Sequence, residues 1–284
     1  MAFTLGNAVR DALTELGQLN EGVATGGSTA SVIDTLLGGS DDDWNGGTVL
    51  ITRDSAGLGG APEGEFAIVT DYTGSTTGLI SVATGGFTVA PAAGDIYGVC
   101  TSYYPLRQII RSVNRALMSL GDIPQVDTTT LETASGQTEY SASVAWKRRP
   151  PFRVDIQTND DSDDNLWETI HDWEYVPASA NTAGKIILKR QPSTGYYLRV
   201  WFADRHATVN AHSDVIYEGF QPELVVWKSI YHMLVWQHGR SQGSDASVVQ
   251  MLTKSEQMLG KLETVSPVWY PPQRSRLLIV GDIR

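Results

Sequence analysis

Cysteine is nearly absent from this 284-residue chain, which has only Cys100. That excludes an intrachain disulfide and a cysteine-built metal cluster, and it fits a reducing compartment. No apolar run approaches the roughly 18 residues a membrane span needs. The N-terminus lacks a basic region followed by an apolar run, so no secretory signal is expected. A soluble protein made in the cytoplasm, with no membrane partner, is the resulting expectation. Basic side chains are scarce in the first third: residues 1–104 carry 2 basic and 12 acidic groups, a net of −10. Residues 105–284 carry 19 and 20, a net of −1. As a body, a chain of net charge −11 repels nucleic acid. Tryptophan is skewed the other way, with seven of eight after residue 104, which argues for a module boundary near Tyr103–Pro105.

Signatures of catalysis are equally scarce. There is no Gly-x-Ser-x-Gly elbow and no dinucleotide fingerprint. The five histidines, His171, His206, His212, His232 and His238, include no pair at the four-residue spacing of a helical zinc site. The acidic run Asp160–Asn165 lacks the central glycine and closing glutamate of a calcium loop and reads as a hairpin tip. Gly57–Gly60 lacks the Gly-Lys-Ser/Thr end of a phosphate loop. Two carboxylates brought close by folding, as in glycosidases, stay open as an alternative. The reading is of a protein that is not an enzyme, with no catalytic residue, cofactor or metal.

What is present is helical periodicity at four places. Leu224, Trp227, Tyr231, Leu234 and Val235 mark one face of a helix that Pro222 can start and Gly239 can stop. After a short polar break, Ser244 or Asp245 can cap a second helix with the face Val248, Met251, Leu252, Ser255, Leu259 and Leu262. Residues 3–20 show a stripe from Leu5 to Leu19, with Thr4 as cap and Gly22 beyond the end. Leu106, Ile109, Ile110, Val113, Leu117 and Leu120 form a fourth face, stopped by Gly121. Opposite it, Arg107, Arg111 and Arg115 recur at intervals of four as a cationic ridge. It reads either as a solvated face or as a stripe facing an acidic protein or DNA.

Between these helices the pattern is β. Thr48–Arg53, Glu65–Tyr72, Gly78–Val82 and Asp95–Val99 are short strand-like runs separated by glycine and aspartate turns, as in a small sandwich or barrel. Its expected core is Val49, Ile51, Phe66, Ile68, Leu79, Ile80, Ile96 and Tyr97. A second β-region covers Thr138–Val144, Phe152–Gln157, Trp167–Val176, Lys185–Arg190 and Tyr196–Phe202. Within it, Phe152, Val154 and Ile156 share a face. Lys147–Pro151 reads as a basic, proline-stiffened loop.

The last twenty residues are of another kind. Pro267, Pro271 and Pro272 exclude a helix. Trp269, Tyr270, Leu277, Leu278, Ile279 and Val280 are large apolar side chains with no local core. Burying each is worth about 1.5–3 kcal/mol. The favoured expectation is an arm that adds to a neighbouring chain.

The expected architecture is α+β: an α-helical bundle with an inserted small β-module, a second antiparallel β-region and an extended C-terminal arm. Its segments are the N-terminal helix 1–22, the inserted module 23–104, a bundle helix 105–121, the β-region 122–210, the helical hairpin 211–263 and the arm 264–284.

The order of these elements carries three local sequences: Arg-x-Ile-Ile-Arg-Ser-Val-Asn-Arg-Ala-Leu at 107–117, Gly-Gln-Thr-Glu-Tyr at 136–140 and Phe-Gln-Pro-Glu-Leu at 220–224. Together they resemble the head-to-tail connector (adaptor, or neck) proteins of tailed bacteriophages. The resemblance implies a structural virion protein at the head–tail interface. Copies of the chain would form a ring, commonly of twelve, between the portal protein and tail or neck proteins, with DNA only as passing cargo. A ring interface needs two complementary patches per subunit. The candidates are the arm (Trp269, Tyr270, Leu277–Val280) and the ridge Arg107, Arg111 and Arg115. The alternative is another virion structural protein, at a tail tip or fibre attachment, whose β-modules bind a receptor or glycan.

Overall fold

The architecture is that of a computed structural model, which describes residues 2–57, 59–74, 77–127, 131–134, 136–141, 146, 150–158, 166–178, 184–192, 195–243 and 245–266. The chain divides into two units. The first joins Met1–Leu120 to Ala207–Pro267, and the second contains Gly121–His206.

Seven strands of the first unit form one antiparallel sheet: β1 (Asn20–Val23), β2 (Gly26–Ser28), β3 (Ser31–Ile33), β4 (Thr48–Arg53), β5 (Phe66–Thr73), β6 (Leu79–Val82) and β7 (Ile96–Cys100). Their order is β1-β7-β4-β5-β6-β3-β2. A flat sheet of that order would hold its edge strands about 29 Å apart. Yet β1 and β2 are separated only by Ala24 and Thr25, a reach of about 10 Å. The sheet must therefore curl back on itself into a barrel. Ala24 and Thr25 mark the bend, donating their N–H groups to the Asp95 and Ile33 carbonyls at opposite ends of the strand order. Register shifts at Ile51/Arg53 and at Val69/Asp71 supply the local twist closure requires. Strand β5 turns the corner, pairing with β4 through Phe66–Ile68 and with β6 from Val69 onward.

Val32, Val49, Ile51, Val69, Tyr72, Ile80, Phe87, Tyr97 and Val99 fill the barrel. The Tyr97 hydroxyl donates to buried Asp34 at 2.8 Å, and Tyr72 donates to the Leu37 carbonyl at 3.0 Å. Ile68, expected inside, lies outside. Phe66-Ala67-Ile68-Val69 is apolar in both parities, so alternation alone could not choose the inward pair, Ala67 and Val69.

Four helices complete this unit: α1 (Leu5–Glu15), α2 (Leu106–Ser119), α3 (Pro222–Arg240) and α4 (Ala246–Val265). Thr4 and Asn7 cap α1 reciprocally, Asn7 standing where a capping box usually has Glu or Gln. The helix ends at Gly17, whose φ of +63° terminates it, and not at Gly22, which lies in β1. Helix α3 runs through Gly239; the chain turns at Gln242 and Gly243, both at positive φ. Asp245 then caps α4, its carboxylate accepting from Ser247 N at 3.0 Å.

Helix α3 packs against the other three helices. That explains why Leu224, Val225, Val226, Trp227, Ile230, Met233 and Leu234 are buried around much of its circumference. Val235, expected on its buried face, is exposed. Leu50, Cys100 and, at the margin, Phe66 of the barrel pack into the same core as the helices.

The second unit holds two antiparallel sheets. The four-stranded sheet runs β11-β10-β14-β8, from β8 (Asp122–Asp127), β10 (Arg153–Gln157), β11 (Trp167–Ile170) and β14 (Leu198–Arg205). The three-stranded sheet runs β12-β13-β9, from β9 (Glu139–Ser141), β12 (Trp173–Val176) and β13 (Lys185–Leu188). Val154, Leu198, Val200 and Phe202 of the larger sheet share a core with Tyr140, Trp173, Ile186 and Leu188 of the smaller. Trp167–Val176, read as one strand, breaks at His171-Asp172 so that its halves serve different sheets.

This corrects the expected fold class. Among the described residues there are fourteen strands in three antiparallel sheets against four helices, a strand-rich mixed fold. It is not a helical bundle carrying a small β-module. The error arose at 20–33, where glycine and serine hid three short strands, and at Asp122–Asp127, where Pro124 sits on an edge strand.

Candidate functional site

The amphipathic period that buries Ile109, Val113 and Leu117 turns Arg107, Arg111 and Arg115 outward, and all three are exposed. Four residues of helix rise about 6 Å, so the row is about 12 Å long. Among the described residues no carboxylate lies within ion-pair distance of any of the three guanidinium groups. Lys228 and His232 of α3 lie near Arg115. Lys228 is paired at 2.8 Å with Glu263 of α4. His232 is half-buried; burial, then Arg115, then Lys228 hold its pKa below the usual histidine value. Asn114, between two of the arginines, fastens α2 to the segment that precedes α3, donating to the Val209 carbonyl and accepting from Val209 N, both at 2.8 Å. Among the described residues the ridge is thus a cationic row without a paired carboxylate, on an acidic chain.

A second polar constellation lies on the outer face of the four-stranded sheet. Arg153 and Asp155 on β10, Trp167 and Thr169 on β11, and Arg199 and Trp201 on β14 occupy alternate positions in register. The Asp155 carboxylate is wholly buried and accepts four bonds: Arg153 Nε at 2.6 Å, Trp201 Nε1 at 2.7 Å, Arg199 Nε at 2.8 Å and Thr169 Oγ1 at 2.9 Å. Burial alone would raise its pKa; the hydrogen bonds from Arg153, Arg199, Trp201 and Thr169 outweigh burial and hold it below the usual range. The Arg199 guanidinium lies 4.5 Å from the Trp167 ring centre and 5.4 Å from that of Trp201, over which Arg153 also sits at 5.4 Å. Sequence reasoning followed the apolar parity of β10 and missed this face. Its signal was available: charged or aromatic residues at i and i+2 in two strands, and a tryptophan followed at i+2 by a threonine in the third.

The expected arm residues Trp269, Tyr270, Leu277, Leu278, Ile279 and Val280 lie outside the described residues, as do the acidic run 160–165 and Lys147–Arg149. Among the described residues no cluster of His, Cys, Asp or Glu could hold a metal ion, and no helix is long and apolar enough to cross a membrane. Cys100 is buried, and burial pushes its thiol pKa up, away from the reactive thiolate. The chain matches no family model, no curated protein and no solved structure.

Proposed function

We propose that this chain is a structural component of a tailed-phage neck, a connector whose copies form a ring between portal and tail around the path of the DNA. The observation that carries the reading is the exposed row Arg107, Arg111 and Arg115, unmatched by any nearby described carboxylate. Three like charges on one helix face repel one another, a cost removed when an anionic surface covers them. On a protein of net charge −11, such a row attracts a polyanion locally while the rest of the surface repels it. That combination suits DNA that must pass without being held. The resemblance at 107–117, 136–140 and 220–224 supplies the assembly; the ridge supplies the contact.

Binding of duplex DNA to the full chain, followed by fluorescence anisotropy across a salt series, tests this. Three phosphate contacts give weak binding at low salt with a log–log slope of about −2.7. Reversal of all three arginines to glutamate abolishes it. Absence of binding by the native chain at low salt, or equal binding by the reversed variant, refutes the assignment of the ridge.

A further inference from the structure

The Arg153–Asp155–Arg199 face of the second unit remains unused by that reading. Several features limit what it can bind. A guanidinium group already lies over each tryptophan ring, at 4.5 Å for Trp167 and 5.4 Å for Trp201. A sugar ring or nucleobase would have to compete with it for stacking. Each arginine spends its Nε–H inward on Asp155, and among the described residues the terminal N–H groups of each fork have no hydrogen-bond acceptor. Among the described residues Asp155 is the only carboxylate within ion-pair distance of either arginine. Among the described residues, two cations against one anion leave one positive charge in excess, held in place by stacking and by hydrogen bonds to buried Asp155. Pre-ordered guanidinium forks of this kind match carboxylates, and little side-chain entropy is left to lose on binding.

The complementary surface exists on the same polypeptide. Residues 20–104, which build the barrel, carry one basic and ten acidic side chains, a net charge of −9. Glu21 on β1, Asp71 on β5 and the loop run Asp41–Asp43 are exposed on its outside. The geometry points to a head-to-tail contact in which the Arg153/Arg199 face of one copy docks on the acidic barrel wall of a second copy. Each subunit then offers two different patches, which is what a closed ring of identical chains requires. The contact rests on the sheet face and the barrel wall and does not depend on the DNA-facing role of α2.

Sedimentation velocity of the full chain over a concentration series, at low and high salt, reads the contact. The native chain self-associates at low salt and less at high salt. Arg153→Glu weakens association by about tenfold or more, as does Glu21→Lys with Asp71→Lys. An equimolar mixture of these two charge-reversed proteins forms a heterodimer, through the one native pair of patches left between them. Should Arg153→Glu lose its near-ultraviolet dichroism, Arg153→Gln, which retains a donor for Asp155, replaces it and also associates less. A native chain that stays monomeric throughout, a folded Arg153→Gln that associates normally, or a mixture that stays apart overturns the proposal. Duplex-DNA binding measured on the same variants separates this outcome from failure of the ridge, because none of the substitutions touches α2.

Discussion

Replacing Asp155 by asparagine removes one charge and almost no volume, so its effect isolates the carboxylate. The native group is 0% exposed and accepts four bonds between 2.6 and 2.9 Å. An amide offers one oxygen, and its NH2 turns hydrogens toward donors that need an acceptor. At least one of the four partners is stranded, and both guanidinium groups lose their counter-ion. Breaking a buried pair on one side costs about 3–5 kcal/mol. The Arg153 and Arg199 side chains are 44% and 24% exposed, so water recovers part of the loss and the lower end, about 3 kcal/mol, applies. With a urea dependence of about 2 kcal/mol per molar, the midpoint of the second unit falls by roughly 1.5 M. Tryptophan fluorescence reports the change directly, since Trp167 and Trp201 stack on the arginines concerned. The pH dependence adds a second check. The native pKa of Asp155 lies below its ordinary value of 3.8, so its contribution is complete above that value and disappears as pH falls through the native one. The gap between the native protein and the Asp155→Asn variant therefore holds constant near neutrality and closes in acid. A cost under about 1 kcal/mol, or a gap that survives to low pH, refutes the view that this carboxylate organises the face.

Other consequences concern the first unit. Ile230→Ala empties a fully buried position on the central helix α3 and should cost about 2–5 kcal/mol by urea denaturation; a loss below about 1 kcal/mol would remove α3 from the centre of the core. A Cβ at Gly6 would lie 2.2 Å from the Gly64 carbonyl oxygen, whereas one at Gly260 in α4 meets nothing within 4 Å. Gly6→Ala should therefore lower the melting temperature and Gly260→Ala raise it, the latter by about 1 kcal/mol of stability; the opposite order would contradict the close approach of α1 to the barrel. The pKa of His232 is depressed by burial and by Arg115 and Lys228, so its neutral form favours folding. Stability should hold above the ordinary value of 6.5 and decline as pH falls from there toward the native pKa, and His232→Gln should flatten that decline in a pH series of urea midpoints.

Helices were the legible part of this sequence. The α2 pattern placed a helix at 105–121 where the structure has Leu106–Ser119, because Leu106, Ile109, Val113 and Leu117 mark one stripe and Gly121 ends it. For α3 the same reasoning lost precision. A helix buried on several sides has no clean stripe, so Val235 looked as interior as Leu234. Strands were legible where β-branched residues cluster, as at Thr48–Arg53, and invisible where glycine and serine dominate, as at Gly26–Ser28. Register was beyond reach: closing the barrel requires β1 to pair with β7, far along the chain, a contact that no local pattern encodes. Of the candidate sites, the arginine ridge follows from helical spacing alone. The Arg153–Asp155–Arg199 face needs the cross-strand register of β10 with β11 and β14, which only the fold supplies.

Single-particle imaging of the full chain bound to DNA-filled portal particles tests the central proposal most directly. The account predicts a closed ring of copies beneath the portal, with Arg107, Arg111 and Arg115 turned toward the DNA. Isolated copies at the particle periphery, or a ring whose α2 ridge points to bulk solvent, would contradict it.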